Sequence, residues 1–142
     1  MNQIGHMRDD GARGGHGYFR SSRGHGTRLH DGIDIRGDLN VTPAVAFLGG
    51  TVSEIRNQPR GYGNIVIVNH GNGLTSRYAH LQNGSISAAG IAVGTQVAQG
   101  QAVGTVGNTG NARNTTPHLH FEIRRNNVPT NPETFLNQPC PP

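Results

Sequence analysis

The sequence predicts an all-β fold: a small antiparallel sheet or sandwich of short hairpins, with glycine-rich loops and little helix. Three observations carry that expectation. Hydrophobic residues make up only 32% of the 142, and 22 glycines with many Asn, Thr and Ser fill the difference; such a composition favours short strands and turns over helices. No long window keeps a helical apolar period free of glycine. The β-branched run Asn64-Ile65-Val66-Ile67-Val68-Asn69 is the best strand, and His70-Gly71-Asn72-Gly73 turns it. The length suits one domain that buries roughly two-thirds of its unfolded surface, so no disulfide or metal is needed merely to hold a core together.

In chain order, residues 1–16 form an Arg- and Gly-rich arm, 17–136 the domain and 137–142 a Pro-rich tail. The early histidines His6, His16 and His25 lie in polar, glycine-rich sequence that reads as loop. In Leu29-His30-Asp31-Gly32-Ile33-Asp34-Ile35, Ile33 and Ile35 share one strand face and Asp34 takes the other. Thr42–Phe47 and Thr51–Ile55 read as a hairpin around Gly49-Gly50. Leu74–Leu81 returns from the best strand, with Tyr78 and His80 on one face and Ala79 and Leu81 on the other. Residues 86–110 alternate valine with glycine turns, as in Val93-Gly94, Val97, Gly100, Val103-Gly104 and Val106-Gly107. This punctuation occurs in small barrels and sandwiches of hairpins. Lipoyl and biotinyl carrier domains look similar but need a lysine to modify, and this chain has none. Pro117–Glu122 forms a further strand, Asn126-Asn127 a turn, and Val128–Leu136 a closing segment in which Asn131-Pro132 suits the start of one helical turn.

Charge and cysteine use narrow the partners. All 12 basic residues are arginine and the net charge is +4. An Arg-rich face suits an anionic polymer such as nucleic acid or a wall glycan, or simply a solvated surface. Aromatic residues are sparse and not interleaved with arginine, which argues against a stacking platform for single strands. Cys140 is the only cysteine and reads as a tail thiol. No run of 18 apolar residues crosses a membrane, and Met1–His6 lacks an apolar signal-peptide core. The expectation is therefore a cytoplasmic chain, one exported by another system, or a piece of something longer.

The chemistry concentrates in three places. His118 and His120 are two apart, so on a strand both point the same way, about 6.6 Å apart, while Leu119 and Phe121 anchor the strand from behind. His30 and Asp34 are four apart; a straight strand would separate them by about 13 Å, and Gly32 permits the bend that brings imidazole and carboxylate together. His80 is the third. Catalytic zinc favours three protein ligands plus water. His30, Asp34 and one histidine of the 118/120 pair supply such a set, and spacing leaves open which one. The remaining imidazoles then stand beside the metal as general acid or base.

These three motifs, His30-x-x-x-Asp34, Tyr78-Ala79-His80-Leu81 and His118-Leu119-His120-Phe121-Glu122, resemble the signature motifs of the lysostaphin-type zinc endopeptidases. The resemblance runs from about Gly17 to Leu136 and includes the glycine-valine repeat and Gly61-Tyr62-Gly63-Asn64. It implies a β-sheet groove (the duplicated hybrid motif), a peptidase domain over 17–136, one Zn2+ per chain, and cleavage of peptidoglycan peptides. It implies His30, Asp34 and His120 as zinc ligands, and His80 and His118 as the catalytic pair. It further implies a monomer that acts on the wall, in the periplasm or outside the cell, with no specific nucleic acid and no membrane span.

Tyr18 is the one candidate for an assisting aromatic hydroxyl, and Glu122 reads either as an orienting carboxylate or as a surface one. Three other readings compete. A non-catalytic wall-binding or regulatory module would normally lack some of the five residues. A phosphocarrier domain would leave His30 and Asp34 unexplained. Nucleic-acid binding would rest on the arm alone, with a salt-dependent DNA shift as its mark.

Overall fold

The computed structural model describes residues 22–23, 28–29, 32–113 and 115–132. It is mostly strand: β1 Ser22–Arg23, β2 Arg28–Leu29, β3 Ile33–Arg36, β4 Pro43–Val45, β5 Gly50–Gln58, β6 Gly63–Gly71, β7 Leu74–Leu81, β8 Gln96–Val97, β9 Ala102–Thr105, β10 His118–Arg125 and β11 Val128–Thr130. Among the described residues the complete helical elements are α1, Ser85–Ala88, and a 3-10 turn at Gly110–Ala112, and Pro132 is also helical. The expected all-β fold is the one observed.

The main sheet is antiparallel, in the order β11-β10-β7-β6-β5-β8, with β3 added to β10. β10 is its organising strand. One edge pairs with β7, from His120 opposite Ala79 to Arg125 opposite Leu74. The other edge pairs first with β3 and then with β11. Leu119, Phe121 and Ile123 face the principal core, where they meet Ile33, Ile35, Tyr78 and Leu81. β4 and β9 form a separate two-stranded sheet whose Ala44, Val45 and Val103 join that core. The opposite face of the main sheet carries a smaller cluster of Ile65, Ile67 and Ala79 with Tyr62 packed on it.

Two hairpins form where the sequence places them. Asn72 and Gly73 both have positive φ between β6 and β7, and Asn126 and Asn127 both do between β10 and β11, as tight two-residue turns require. The hairpin expected around Gly49-Gly50 does not form. β4 pairs with β9, and β5 pairs with β6 and β8. Neither Gly49 nor Gly50 has positive φ, so no type I′ turn exists there. A Cβ on Gly50 would overlap the Asn69 carbonyl oxygen. These glycines let the chain pass tightly from one sheet to the other, because the strand before them is buried and finds its partner 60 residues further on.

A second correction concerns β7. Asn64 pairs with Leu81 but Val66 pairs with Tyr78, so three steps on β7 oppose two on β6. The extra residue is a β-bulge, and His80 takes φ 62 within it. Alternation is broken there. Tyr78 and Leu81 both enter the principal core, and His80 leaves Tyr78's face for the histidine face of β10.

Candidate active site

β3, β10 and β7 bring Asp34, His120 and Ala79 into one row: Asp34 lies opposite His120, and His120 opposite Ala79. Ile33 and Ile35 are buried in the core, which fixes Asp34 on the other face. The same alternation puts His118, His120 and Glu122 beside it. The bulge in β7 delivers His80 to this group, its ring centroid 5.1 Å from that of His118 and 5.9 Å from that of His120. Four of the five predicted site residues are thus together. His30 lies outside the described residues, as do Tyr18, the N-terminal arm and the C-terminal tail. What the structure does describe near His30 is Gly32, where a Cβ would overlap the Phe121 carbonyl oxygen. Gly32 therefore brings the chain into close approach to β10 just before Asp34.

Hydrogen bonds separate the three histidines into two kinds. His80 Nδ1 lies 2.8 Å from the Thr109 carbonyl oxygen, and His118 Nδ1 lies 2.8 Å from that of Thr116. A carbonyl has no proton to give, so each ring donates from Nδ1 and keeps Nε2 as its basic nitrogen. Burial, reinforced by the neighbouring His120 and His118, lowers the His80 pKa to about 3. That ring is neutral across the physiological range.

His120 sits between two carboxylates. Its Nδ1 is 3.1 Å from Asp34 Oδ1 and its Nε2 is 2.7 Å from Glu122 Oε2. Burial alone would lower its pKa, but the bonds to Asp34 and Glu122 outweigh burial and raise it to about 9 in the metal-free chain. Glu122 is fully buried, and Arg124 Nε donates to its Oε1 at 2.9 Å. Arg77 Nε stands 3.9 Å from the same oxygen. Burial would raise the Glu122 pKa; the bond to His120 and the surrounding positive charge prevail and hold it at about 2. Glu122 is therefore an orienting group for His120 and not a surface carboxylate.

Among the described residues no group of three His, Cys, Asp or Glu side chains is arranged to hold a metal ion. The pair that is described has the right chemistry: an anionic oxygen and an imidazole nitrogen, with the ring's far nitrogen fixed by a carboxylate. Their 3.1 Å separation is close to the roughly 3.3 Å between neighbouring ligands of tetrahedral zinc. The chemistry of this described pair fits zinc.

Sequence reasoning missed Thr109, Thr116, Tyr62, Arg77 and Arg124. Tyr62 packs its ring 5.6 Å from that of His120, and burial, with the charge of Glu122, pushes its hydroxyl up to about 12. The two threonines meet the histidine rings through backbone carbonyls, which any residue carries, so side-chain pattern gave no signal for those contacts. Arg77 and Arg124 were foreseeable as cross-strand and same-face neighbours of Glu122.

Comparison with known proteins agrees with this arrangement. The Peptidase family M23 model matches residues 28–132. Over 108 residues the chain is 43% identical to the DD-carboxypeptidase/endopeptidase Mpg of Neisseria meningitidis serogroup B, covering 76% of this chain and 23% of Mpg. Over 102 residues it is 38% identical to the peptidoglycan DD-endopeptidase ShyA of Vibrio cholerae, covering 72% of this chain and 22% of ShyA. The chain thus spans less than a quarter of either relative's length. Among solved structures, the catalytic domain of the antimicrobial peptidase lysostaphin from Staphylococcus simulans matches with a TM-score of 0.76 at 27% identity, covering 96% of each chain. The family match begins with β2 and ends beyond β11, so it takes in the whole main sheet and positions 30, 34, 80, 118 and 120, though not Tyr18; the chain belongs to peptidase family M23.

Proposed function

We propose that the chain is a zinc-dependent endopeptidase that hydrolyses peptide bonds in bacterial peptidoglycan, in stem peptides or cross-links. One zinc is held by His30, Asp34 and His120, and His80 and His118 move the protons. The observation that carries the reading is the division of labour among the histidines. One imidazole shares its Nδ1 side with Asp34 at 3.1 Å, while two others turn basic Nε2 atoms toward the same face because backbone carbonyls hold their Nδ1 protons. The peptidoglycan DD-endopeptidase ShyA, 38% identical over 102 residues, supports the substrate class.

Zinc bound there supplies a Lewis acid and lowers the pKa of a water to about 7. The protein's own residues do the rest. Glu122 and the backbone pairing of β10 with β3 fix the His120 ring, and the bond to His120, with Arg124 beside it, keeps Glu122 charged. The imidazole at position 80 or 118 takes a proton at Nε2 when water attacks the peptide carbonyl. The pair then returns a proton to the departing amine, which cannot leave as an anion. The chain works as a monomer at the wall, in the periplasm or outside the cell.

The test couples metal content with digestion. Purified protein should bind one zinc, and His30→Ala, Asp34→Ala and His120→Ala should each lose it together with activity on purified sacculi. A zinc-loaded chain that releases no peptide products from several wall types overturns the catalytic reading and leaves a wall-binding module of the same fold.

A further inference from the structure

We propose that Thr109 is the positioning residue that aims the His80 imidazole, using its side chain and its main chain together. This rests on the reading of His80 as catalytic. The bulge that brings His80 to the site also interrupts the β6–β7 ladder beside it. Thr109 fills that interruption. Its hydroxyl donates to the Leu81 carbonyl at 2.8 Å and accepts from the Asn64 N–H at 3.1 Å, so it bridges the two strands where the extra residue parts them. Its carbonyl then accepts the His80 Nδ1 proton at 2.8 Å.

The loop is held close enough to do this by glycine. A Cβ on Gly63 would come within 2.6 Å of the Gly110 nitrogen, and Asn111 N–H donates to the Gly61 carbonyl at 2.9 Å. The His80 backbone is tied from the same side, its N–H donating to the Tyr62 carbonyl at 2.8 Å. A non-glycine residue at φ 62 is sterically disfavoured and persists only when its surroundings hold it. Here the holding groups are Thr109 and the Gly61–Gly63 segment. The hydroxyl fixes where the carbonyl points, and the carbonyl fixes which nitrogen of His80 is basic.

The test uses Thr109→Val, which keeps the shape without the hydroxyl, and Thr109→Ser, which keeps the hydroxyl. In the zinc-loaded protein, Thr109→Val should lower kcat for muropeptide release from sacculi by about tenfold or more, with apparent KM and zinc stoichiometry unchanged. Thr109→Ser should restore most of the rate. Nitrogen NMR of the wild-type protein should show His80 as the Nδ1–H tautomer, and Thr109→Val should mix the tautomers. A wild-type Nε2–H tautomer overturns the inference whatever the variants do. So does a Thr109→Val protein with full kcat and an unchanged His80 signal while His80→Ala is inactive. Full activity in His80→Ala overturns instead the catalytic reading beneath it.

Discussion

Glu122→Gln tests how the buried carboxylate secures the site. The side chain has no exposed surface and receives His120 Nε2 on one oxygen and Arg124 Nε on the other, at 2.7 and 2.9 Å. Glutamine keeps the shape but offers one acceptor to these two donors and turns an NH2 toward the second. It also removes the charge facing Arg77 and Arg124. Losing one partner from a buried ionic cluster costs about 3–5 kcal/mol. An independent route gives a similar magnitude: holding the carboxyl at about 2 instead of 4.5 corresponds to about 3 kcal/mol in favour of the charged form. The sign follows from linkage. A depressed carboxyl pKa contributes stability that is fully present above 4.5 and is lost as pH falls toward 2. At pH 7 the variant should therefore melt about 10 °C lower, and zinc affinity by chelator competition should weaken by roughly 10–100-fold. A melting temperature within about 2 °C of wild type, with affinity within twofold, would refute this account of Glu122.

His80→Ala should keep one zinc and lose at least about 100-fold in turnover; retained turnover would mean the proton is handled elsewhere. Gly32→Ala should cost about 1–3 kcal/mol or more in thermal unfolding, because the new Cβ meets the Phe121 carbonyl, and it should weaken zinc binding by displacing the approach to Asp34. His70 offers a pH test away from the site. Burial, despite its bond to the Gly49 carbonyl, lowers the folded-state pKa of this ring below 6.5. The unfolded chain then binds the extra proton, so the stability it contributes is full above about 6.5 and falls as pH drops below that value. Melting curves between pH 7.5 and 5.5 should fall less steeply for His70→Gln than for wild type; parallel curves would remove His70 from the balance.

Much of the architecture was legible because alternation is a local property. Ile33 and Ile35 against Asp34, and Leu119 and Phe121 against His118 and His120, assign faces correctly from sequence, and the two Asn-containing turns mark their hairpins. Two features were not local. Gly49-Gly50 carries the composition of a turn, yet its conformation is set by a close approach to Asn69 that only the assembled sheet creates. His80 breaks alternation through a bulge that is bridged from 29 residues later, where the Thr109 hydroxyl bonds both strands. Motif matching brought His80 to the right group although the strand-face argument pointed it the other way.

The most direct measurement of the central claim is mass spectrometry of muropeptides from sacculi digested by wild type, by His120→Ala and by chelator-treated wild type. The account predicts newly cleaved peptide bonds, at one defined position, with zinc-loaded wild type alone. Unchanged muropeptides with zinc-loaded wild type, or the same products from His120→Ala, would contradict it.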